Sequence, residues 1–315
     1  MHAMVLAAGL GTRLAPLTGR RPKCLMPVMN RPLLGWWLDR LASLGAARAV
    51  VNTHHLAPLV RAWLAQRPGD GLEVRESHEP VILGTGGGLV AAREALGPEP
   101  FLLVNADVLA ADDPRPLLAR RAEDDAIAVL GLVDDPRFNS VALDRRGRVL
   151  GFRGQDLPAA PAAWRTYAGL AALRPDLLDY LPAIGFSTLV EGLSAALAGG
   201  RLVRGLALPG FWDDLGTPER LLDLHRRLIQ DPPPGLADLA PSGPLVRGQG
   251  AIVDPSARVE GFCVLGPNAR LEAGAWVRDS LLLPGAVVTA GARVADAVLG
   301  DGCLARGEIA GGAHV

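Results

Sequence analysis

Apolar residues recur along this chain with two different periods, and the change of period divides it. From residue 1 to about 230, short apolar runs alternate with stretches whose apolar residues return every three or four positions. Residues 4–8, 49–52, 101–105 and 126–132 read as strands. Between them Leu34, Trp37, Leu38 and Leu41 fall at helical spacing before a stop at Gly45, and Leu89, Ala92 and Leu96 repeat that spacing. Residues 140–152 read as a hairpin turning at Arg146-Gly147, and 167–173 as a further strand. Thr217 is placed to cap a helix with Pro218 at its first position, Glu219 in its first turn and an end near Ile229. This alternation predicts an α/β fold: a Rossmann-like domain with a mixed, mostly parallel sheet covered on both faces.

Asp231-Pro-Pro-Pro-Gly opens a stretch, to about Gly250, that is dense in proline and glycine and reads as a linker. Beyond it Val253, Val259, Leu265, Leu271, Val277 and Leu283 stand six residues apart. After a one-residue slip come Val288 and Val294, then Cys303, Ile309 and Val315, with Gly261, Gly266, Gly274, Gly285 and Gly291 between. A six-residue apolar repeat predicts a short left-handed parallel β-helix with one aliphatic inside at each strand, here of about three coils. The expected organisation is therefore 1–230, a linker 231–250, and a β-helix over 251–315.

Length and charge narrow the function classes. At 315 residues the chain holds a large core, and its net charge of −1 gives no basic field for nucleic acid or an anionic membrane. Partners are expected to be small molecules and further copies of the chain. Cys24, Cys263 and Cys303 have no metal-binding spacing, which fits a reducing cytoplasm. The N-terminus has no cleavable signal pattern, and no apolar run is long enough to span a bilayer.

The candidate chemistry begins where the first apolar run enters Gly9, Gly11 and Thr12, small residues that let backbone N–H groups approach an anion. Arg13 adds a forked cation and Lys23 a mobile one, a combination suited to a triphosphate. A dinucleotide site would need a third glycine where Leu14 stands and an acidic residue closing a second strand, whereas Asp39 lies in a helical pattern. The segment Gly9-x-Gly11-x-Arg13, followed by Pro22-Lys23-x-Leu25-x-Pro27-Val28, resembles the signature of the sugar-phosphate nucleotidylyltransferases.

That resemblance implies transfer of a nucleotidyl group from an NTP to a sugar 1-phosphate with Mg²⁺ as cofactor. Arg13 and Lys23 would be catalytic, and Leu6, Ala8, Gly9, Gly11 and Thr12 would line the nucleotide site. Residues 79–89 are similar to the family's second glycine-rich loop, which assigns Gly84, Thr85 and Gly86 to the nucleobase pocket. Asp107, closing the apolar run 101–105, resembles the metal-binding Asp of the family's L-x-x-N-x-D, and Asp214 that of W-x-D-x-G-T, with Asp213 as the neighbouring option. Two separated carboxylates suffice for magnesium, which keeps phosphate oxygens among its ligands.

On the sugar side the match loosens. The family's E-K-P lysine is missing from 151–155, leaving Arg153 or Arg165 to replace its charge. The resemblance also assigns Asn105, Tyr167, Gly169 and Glu191 to the sugar, while Asn52 and His55 read as structural polar groups of a strand end. The two-domain layout resembles that of the mannose-1-phosphate guanylyltransferase branch, which favours GTP. The Leu-Gly-Thr-Gly-Gly-Gly loop is also similar to that of relatives that transfer uridylyl to N-acetylmuramate 1-phosphate or guanylyl to heptose 1-phosphate. Uridylyl transfer to glucose 1-phosphate stays open as well. An acyltransferase β-helix would need a histidine between coils, and this one has only His314. A non-catalytic regulatory relative would have lost the charges that Arg13, Lys23, Asp107 and Asp214 retain.

Overall fold

The computed structural model describes all of residues 1–315. One sheet is built from β1 (His2–Leu6), β2 (Arg48–Thr53), β3 (Glu73–His78), β4 (Phe101–Asn105), β5 (Ala128–Val133), β6 (Val141–Leu143), β7 (Val149–Phe152), β8 (Ala163–Leu173) and β9 (Val203–Ala207). β4, β1, β2 and β3 lie side by side in parallel. β8 runs antiparallel to β4 and β5, and β9 pairs in parallel with β5. In strand direction the sheet is thus mostly parallel, with β8 reversed in its centre and β7 reversed at its edge.

Helices α1 (Leu33–Ser43), α2 (Ala57–Ala65), α3 (Gly84–Ala91), α4 (Arg93–Leu96), α5 (Arg115–Asp124), α6 (Leu189–Ala198) and α7 (Pro218–Gln230) complete the α/β part. The run 101–105 forms β4 as read, with Phe101 through Val104 fully buried. β1, in contrast, ends at Leu6 rather than at residue 8. The Ala7 N–H leaves the ladder and donates to the Asn52 side chain at 2.7 Å. β8 starts at Ala163 instead of 167 because its first residues pair with β6. Register places Leu6 between Asn52 and Asn105, so three strand ends meet on one carboxyl edge.

Beyond α7 the strands are β10 (Leu245–Arg247), β11 (Ile252–Val253), β12 (Arg258–Leu265), β13 (Arg270–Leu271), β14 (Trp276–Leu282), β15 (Val287–Val288), β16 (Arg293–Ala295), β17 (Val298–Leu299), β18 (Leu304–Ala305), β19 (Glu308–Ala310) and β20 (Ala313–His314). All pair in parallel as a left-handed β-helix does, with Leu265 opposite Leu282 and Val277 opposite Val294. Coil length shortens along the stack, since Ile252 pairs with Arg270, Arg270 with Val287 and Val298 with Ala313. Residues 252–315 consequently hold three full coils and part of a fourth. The slip also falls one residue earlier than the hexad count puts it. Leu282, not Leu283, joins the inner column with Leu265, Leu271, Val277, Val288, Val294 and Leu299.

Contacts gather the chain into two compact units that interleave in sequence, Met1–Gly9 with Trp37–Trp212, and Leu10–Trp36 with Asp213–Val315. Periodicity groups residues 10–36 with the sheet, whereas packing groups them with the C-terminal part. Their polar ties explain this. The Asn30 amide donates to the Leu265 carbonyl at 2.9 Å, and Arg31 pairs with Asp238 at 3.0 Å. The proline-rich stretch is anchored too: Leu236 and Leu239 are buried, and β10 pairs with Cys263–Leu265 at the start of the helix.

His225, on α7, is fully buried. Its Nδ1–H donates to the Leu221 carbonyl at 2.7 Å and its Nε2 accepts the Met29 N–H at 3.1 Å. Burial pushes its pKa down from 6.5 to about 4. The folded state therefore binds fewer protons than the unfolded chain between about pH 4 and 6.5, so stability falls as pH drops through that window. At about 1.4 kcal/mol per pH unit, acidification from pH 6.5 to 5 should cost about 2 kcal/mol. Urea denaturation across that range should show the loss, and His225→Gln should flatten it.

Candidate active site

The Leu10–Trp36 and Asp213–Val315 unit carries the cations and one carboxylate. Gly11 sits at φ +65°, and a Cβ there would lie 2.8 Å from the Thr18 methyl and 3.0 Å from Lys23 Cβ, so no side chain fits. Its carbonyl accepts from the Leu14 N–H at 2.9 Å and the Thr18 hydroxyl at 3.1 Å. These bonds close a turn that buries Leu14 and leaves Thr12 and Arg13 exposed. The backbone N–H groups of Gly9 to Arg13 donate to no group of the protein. Exposed donors in a row, around glycines, form a cradle for an anion.

Arg13 leans on Asp214, Nη2 to Oδ2 at 3.6 Å, across Gly216. A Cβ on Gly216 would stand 2.6 Å from Asp214 Oδ1 and 2.8 Å from Arg13 Nη1, so this glycine is what lets the two approach. The contact is long and the Arg13 side chain 57% exposed, so it is worth about 0–1 kcal/mol and yields readily to a phosphate. Lys23 opens a later tight turn, Lys23–Leu25.

The structure separates the roles of the two adjacent acids. Asp213 is buried and engaged by the Arg220 guanidinium, with Nε at 2.8 Å, and burial raises its pKa despite that partner. Asp214 Oδ1 is buried but accepts no hydrogen bond, and its nearest cation, Arg220 Nε, stands at 3.7 Å. A carboxylate oxygen desolvated without a donor suits a metal ligand.

The Met1–Gly9 and Trp37–Trp212 unit carries the remaining candidates. Asp107 lies two residues past the end of β4 and is partly exposed. Gly169, at φ +76°, occupies the bulge where β8 shifts register against β5. A Cβ there would meet Asn105 Cβ and Val108, both at 3.0 Å. Asn105 Oδ1 and the Tyr167 hydroxyl are buried without partners, and burial drives the Tyr167 pKa up. Gly169 is thus brought against Asn105, while Tyr167, two residues before it on β8, packs against the core of the sheet.

The glycine-rich residues 84–88 form the first turns of α3 rather than a free loop. Gly86 and Gly87 donate to the Ser187 carbonyl at 2.8 and 3.3 Å, and the Thr85 hydroxyl accepts the Leu189 N–H at 2.8 Å. Gly84, at φ +73°, faces the Phe186 ring and the Ser187 carbonyl so closely that a Cβ would strike both.

Three sequence candidates have side chains committed elsewhere. Arg153 donates through Nε and Nη2 to the Asn139 carbonyl at 3.0 and 2.7 Å and stacks on Trp164. Arg165 faces Asp134 at 3.5 Å. Glu191 closes a capping box on α6, its carboxylate accepting the Thr188 N–H at 2.7 Å.

Sequence reasoning missed Glu79, which is fully buried. Its carboxylate accepts from Asn52 Nδ2 at 2.7 Å and from the Leu83 N–H at 3.0 Å. Asn52 is structural, as read, and ties the chain before Gly9 to the chain before Gly84. His54 rather than His55 completes the tie, its Nδ1 donating to the Glu79 carbonyl at 2.8 Å. Glu79-Pro80 directly after a polar strand was the available signal.

The chain belongs to the nucleotidyl transferase family, whose profile matches residues 2–231. It is 31% identical over 297 residues to "Mannose-1-phosphate guanylyltransferase" of Mycobacterium tuberculosis, covering 92% of this chain and 82% of the relative. It is 36% identical to "N-acetylmuramate alpha-1-phosphate uridylyltransferase" of Caulobacter vibrioides, covering 72% of this chain and 97% of the relative. Among solved structures, "UDP-glucose pyrophosphorylase from acinetobacter baumanii" superposes with a TM-score of 0.61 at 20% identity, covering 75% of this chain and 96% of that one. At that identity it speaks for the fold alone.

Proposed function

We propose that this protein transfers guanylyl from GTP to mannose 1-phosphate, releasing pyrophosphate. One observation carries the choice of substrates. The M. tuberculosis relative of that name aligns over 92% of the chain, which takes the match beyond the sheet and into the repeats. A second reading, uridylyl transfer to N-acetylmuramate 1-phosphate, rests on the higher identity of the C. vibrioides relative over 72% of the chain.

In the reaction an oxygen of the sugar phosphate attacks the α-phosphorus, and the bond to the bridging oxygen of the β-phosphate breaks. The attacking group is already an anion near neutral pH, so no general base is needed. Both reactants are anionic, and the task of the protein is to hold them in line and offset repulsion. The amides of Gly9 to Thr12, with Leu6 and Ala8 beside them, cradle the triphosphate. Arg13 exchanges Asp214 for the β- and γ-phosphates and stabilises departing pyrophosphate. Lys23 bridges the α-phosphate and the attacking phosphate.

Gly84, Thr85 and Gly86 border the base, while Asn105, Tyr167 and Gly169 face the sugar. Glu191 and Arg153 are assigned to the sugar side only through groups left over from their structural bonds. Asp107 and Asp214 would hold Mg²⁺, which would neutralise phosphate charge and polarise the α-phosphorus.

The test is a matrix of GTP, UTP, dTTP, CTP and ATP against mannose, glucose, heptose and N-acetylmuramate 1-phosphates, reading pyrophosphate. GTP with mannose 1-phosphate should give the highest kcat/KM. A maximum at UTP with N-acetylmuramate 1-phosphate would select the second reading, and no pyrophosphate from any pair would overturn both.

We also infer a homo-oligomer assembled through the β-helix and residence in a reducing cytoplasm. The three cysteines are buried and none is in a disulfide, and no helix is long and apolar enough to cross a membrane. Light scattering at micromolar concentration should give more than the 32.9 kDa of one chain.

A further inference from the structure

Arg20 and Arg21, beside Pro22-Lys23, both bond to one residue of the β-helix. Asp301 lies on the turn between β17 and β18. Its carboxylate takes the Arg21 guanidinium by both oxygens, with Nε to Oδ2 at 2.9 Å and Nη2 on Oδ1. Its backbone carbonyl accepts from Arg20 Nη1 at 2.8 Å. Arg21 also reaches the Leu25 carbonyl, 3.4 Å from Nη1, at the far end of the turn that starts with Lys23. The two chains close up at Gly300, where a Cβ would come within 3.2 Å of the buried Leu17.

Forked pairing of this kind fixes direction as well as distance. The Arg21 and Asp301 side chains are only 20% and 24% exposed, so solvent screens the pair little. Arg21 stands beside Pro22-Lys23 and would pass in sequence for another phosphate ligand, yet its fork is turned to Asp301.

We propose that Asp301 is a positioning residue for nucleotidyl transfer. Through Arg21 it holds the Lys23–Leu25 turn, and with it the cradle before that turn, in the geometry that receives the triphosphate. The role given to Lys23 rests on the proposed reaction, while the clamp itself does not. The β-helix is then a working part of the nucleotide site and more than an assembly module.

The test compares Asp301→Ala, Asp301→Asn, Arg21→Ala and the Arg21→Ala/Asp301→Ala double variant by hydrogen exchange and steady-state kinetics. The hydrogen-bonded amides of residues 14–25 should exchange about ten-fold faster in Asp301→Ala, while those of 276–299 stay protected as in the parent. KM for the nucleotide should rise about ten-fold with a smaller change in kcat, the mark of lost ground-state positioning. The double variant should be no worse than either single one, since both break the same link. Asp301→Asn, which keeps the shape of the turn, should show the same pattern at lower amplitude.

Unchanged exchange of the hydrogen-bonded amides over 14–25, equal loosening throughout the β-helix, or effects that multiply in the double variant would overturn the proposal. If the parent protein yields no pyrophosphate with any substrate pair, the proposed reaction fails, and the exchange experiment still decides the clamp.

Discussion

Asp214→Asn is expected to lower kcat about a hundred- to a thousand-fold, the range for removing one preorganised electrostatic group from a reacting centre. The substitution keeps volume and shape and removes a charge. Asp214 Oδ1 has no hydrogen bond to lose, and the Arg13 contact at 3.6 Å is loose, so the fold should hardly notice. A metal would notice, because magnesium selects anionic oxygens over an amide.

The adjacent Asp213→Asn gives the opposite signature. It removes the carboxylate that accepts from Arg220 Nε at 2.8 Å and should cost about 2 kcal/mol of stability, the scale of a lost hydrogen bond to a charged group. Kinetics and thermal denaturation on the two variants separate the roles. Loss of kcat without loss of Tm at 214, and the reverse at 213, is the expected outcome.

Asn52→Ala should destabilise the protein by about 4 kcal/mol, because two buried polar groups lose a partner at once. The Ala7 N–H and Glu79 Oε1 each lie 2.7 Å from the Asn52 amide, and Asn52 and Glu79 are 2% and 0% exposed. Water has little room to replace the side chain, since a mere Cβ on Gly88 would sit 2.7 Å from Glu79 Oε1. Urea denaturation measures the loss, and a cost below about 1 kcal/mol would show that the bonds are not worth what their burial implies. The nucleotide KM should rise as well, because this network sets where the chain leaves β1 and where α3 begins.

Much of this architecture could be read where one local signal dominates. Residues 101–105 became β4 without adjustment because the run is fully apolar, follows Pro100 and ends in Asn105. Thr217-Pro218-Glu219 announced α7, and the Thr217 hydroxyl indeed accepts the Arg220 N–H. Misreadings arose where a distant partner decides. Ala7 is apolar enough for a strand, yet its N–H goes to a side chain 45 positions away. Leu281, Leu282 and Leu283 are consecutive leucines, so the phase of the β-helix could not be told from hydrophobicity, and only the register with Leu265 settles it.

The candidate site divides in the same way. Motif spacing singles out Gly11, Arg13 and Asp214, and the structure gives them a left-handed turn, an exposed guanidinium and a carboxylate oxygen buried without a donor. Glu191 and Arg153 are engaged by a helix cap and a hairpin carbonyl, commitments that depend on geometry. Arg21 has the composition of a phosphate ligand and the position of a strut.

The account depends most on Asp107 and Asp214 serving one cation in the presence of nucleotide. Mn²⁺ titration followed by electron paramagnetic resonance, with GTP present, tests this for the parent, Asp107→Asn, Asp214→Asn and the double variant. One protein-dependent site should appear in the parent and weaken by at least about ten-fold in each single variant, with no further loss in the double. Unaltered Mn²⁺ affinity in either single variant would contradict it.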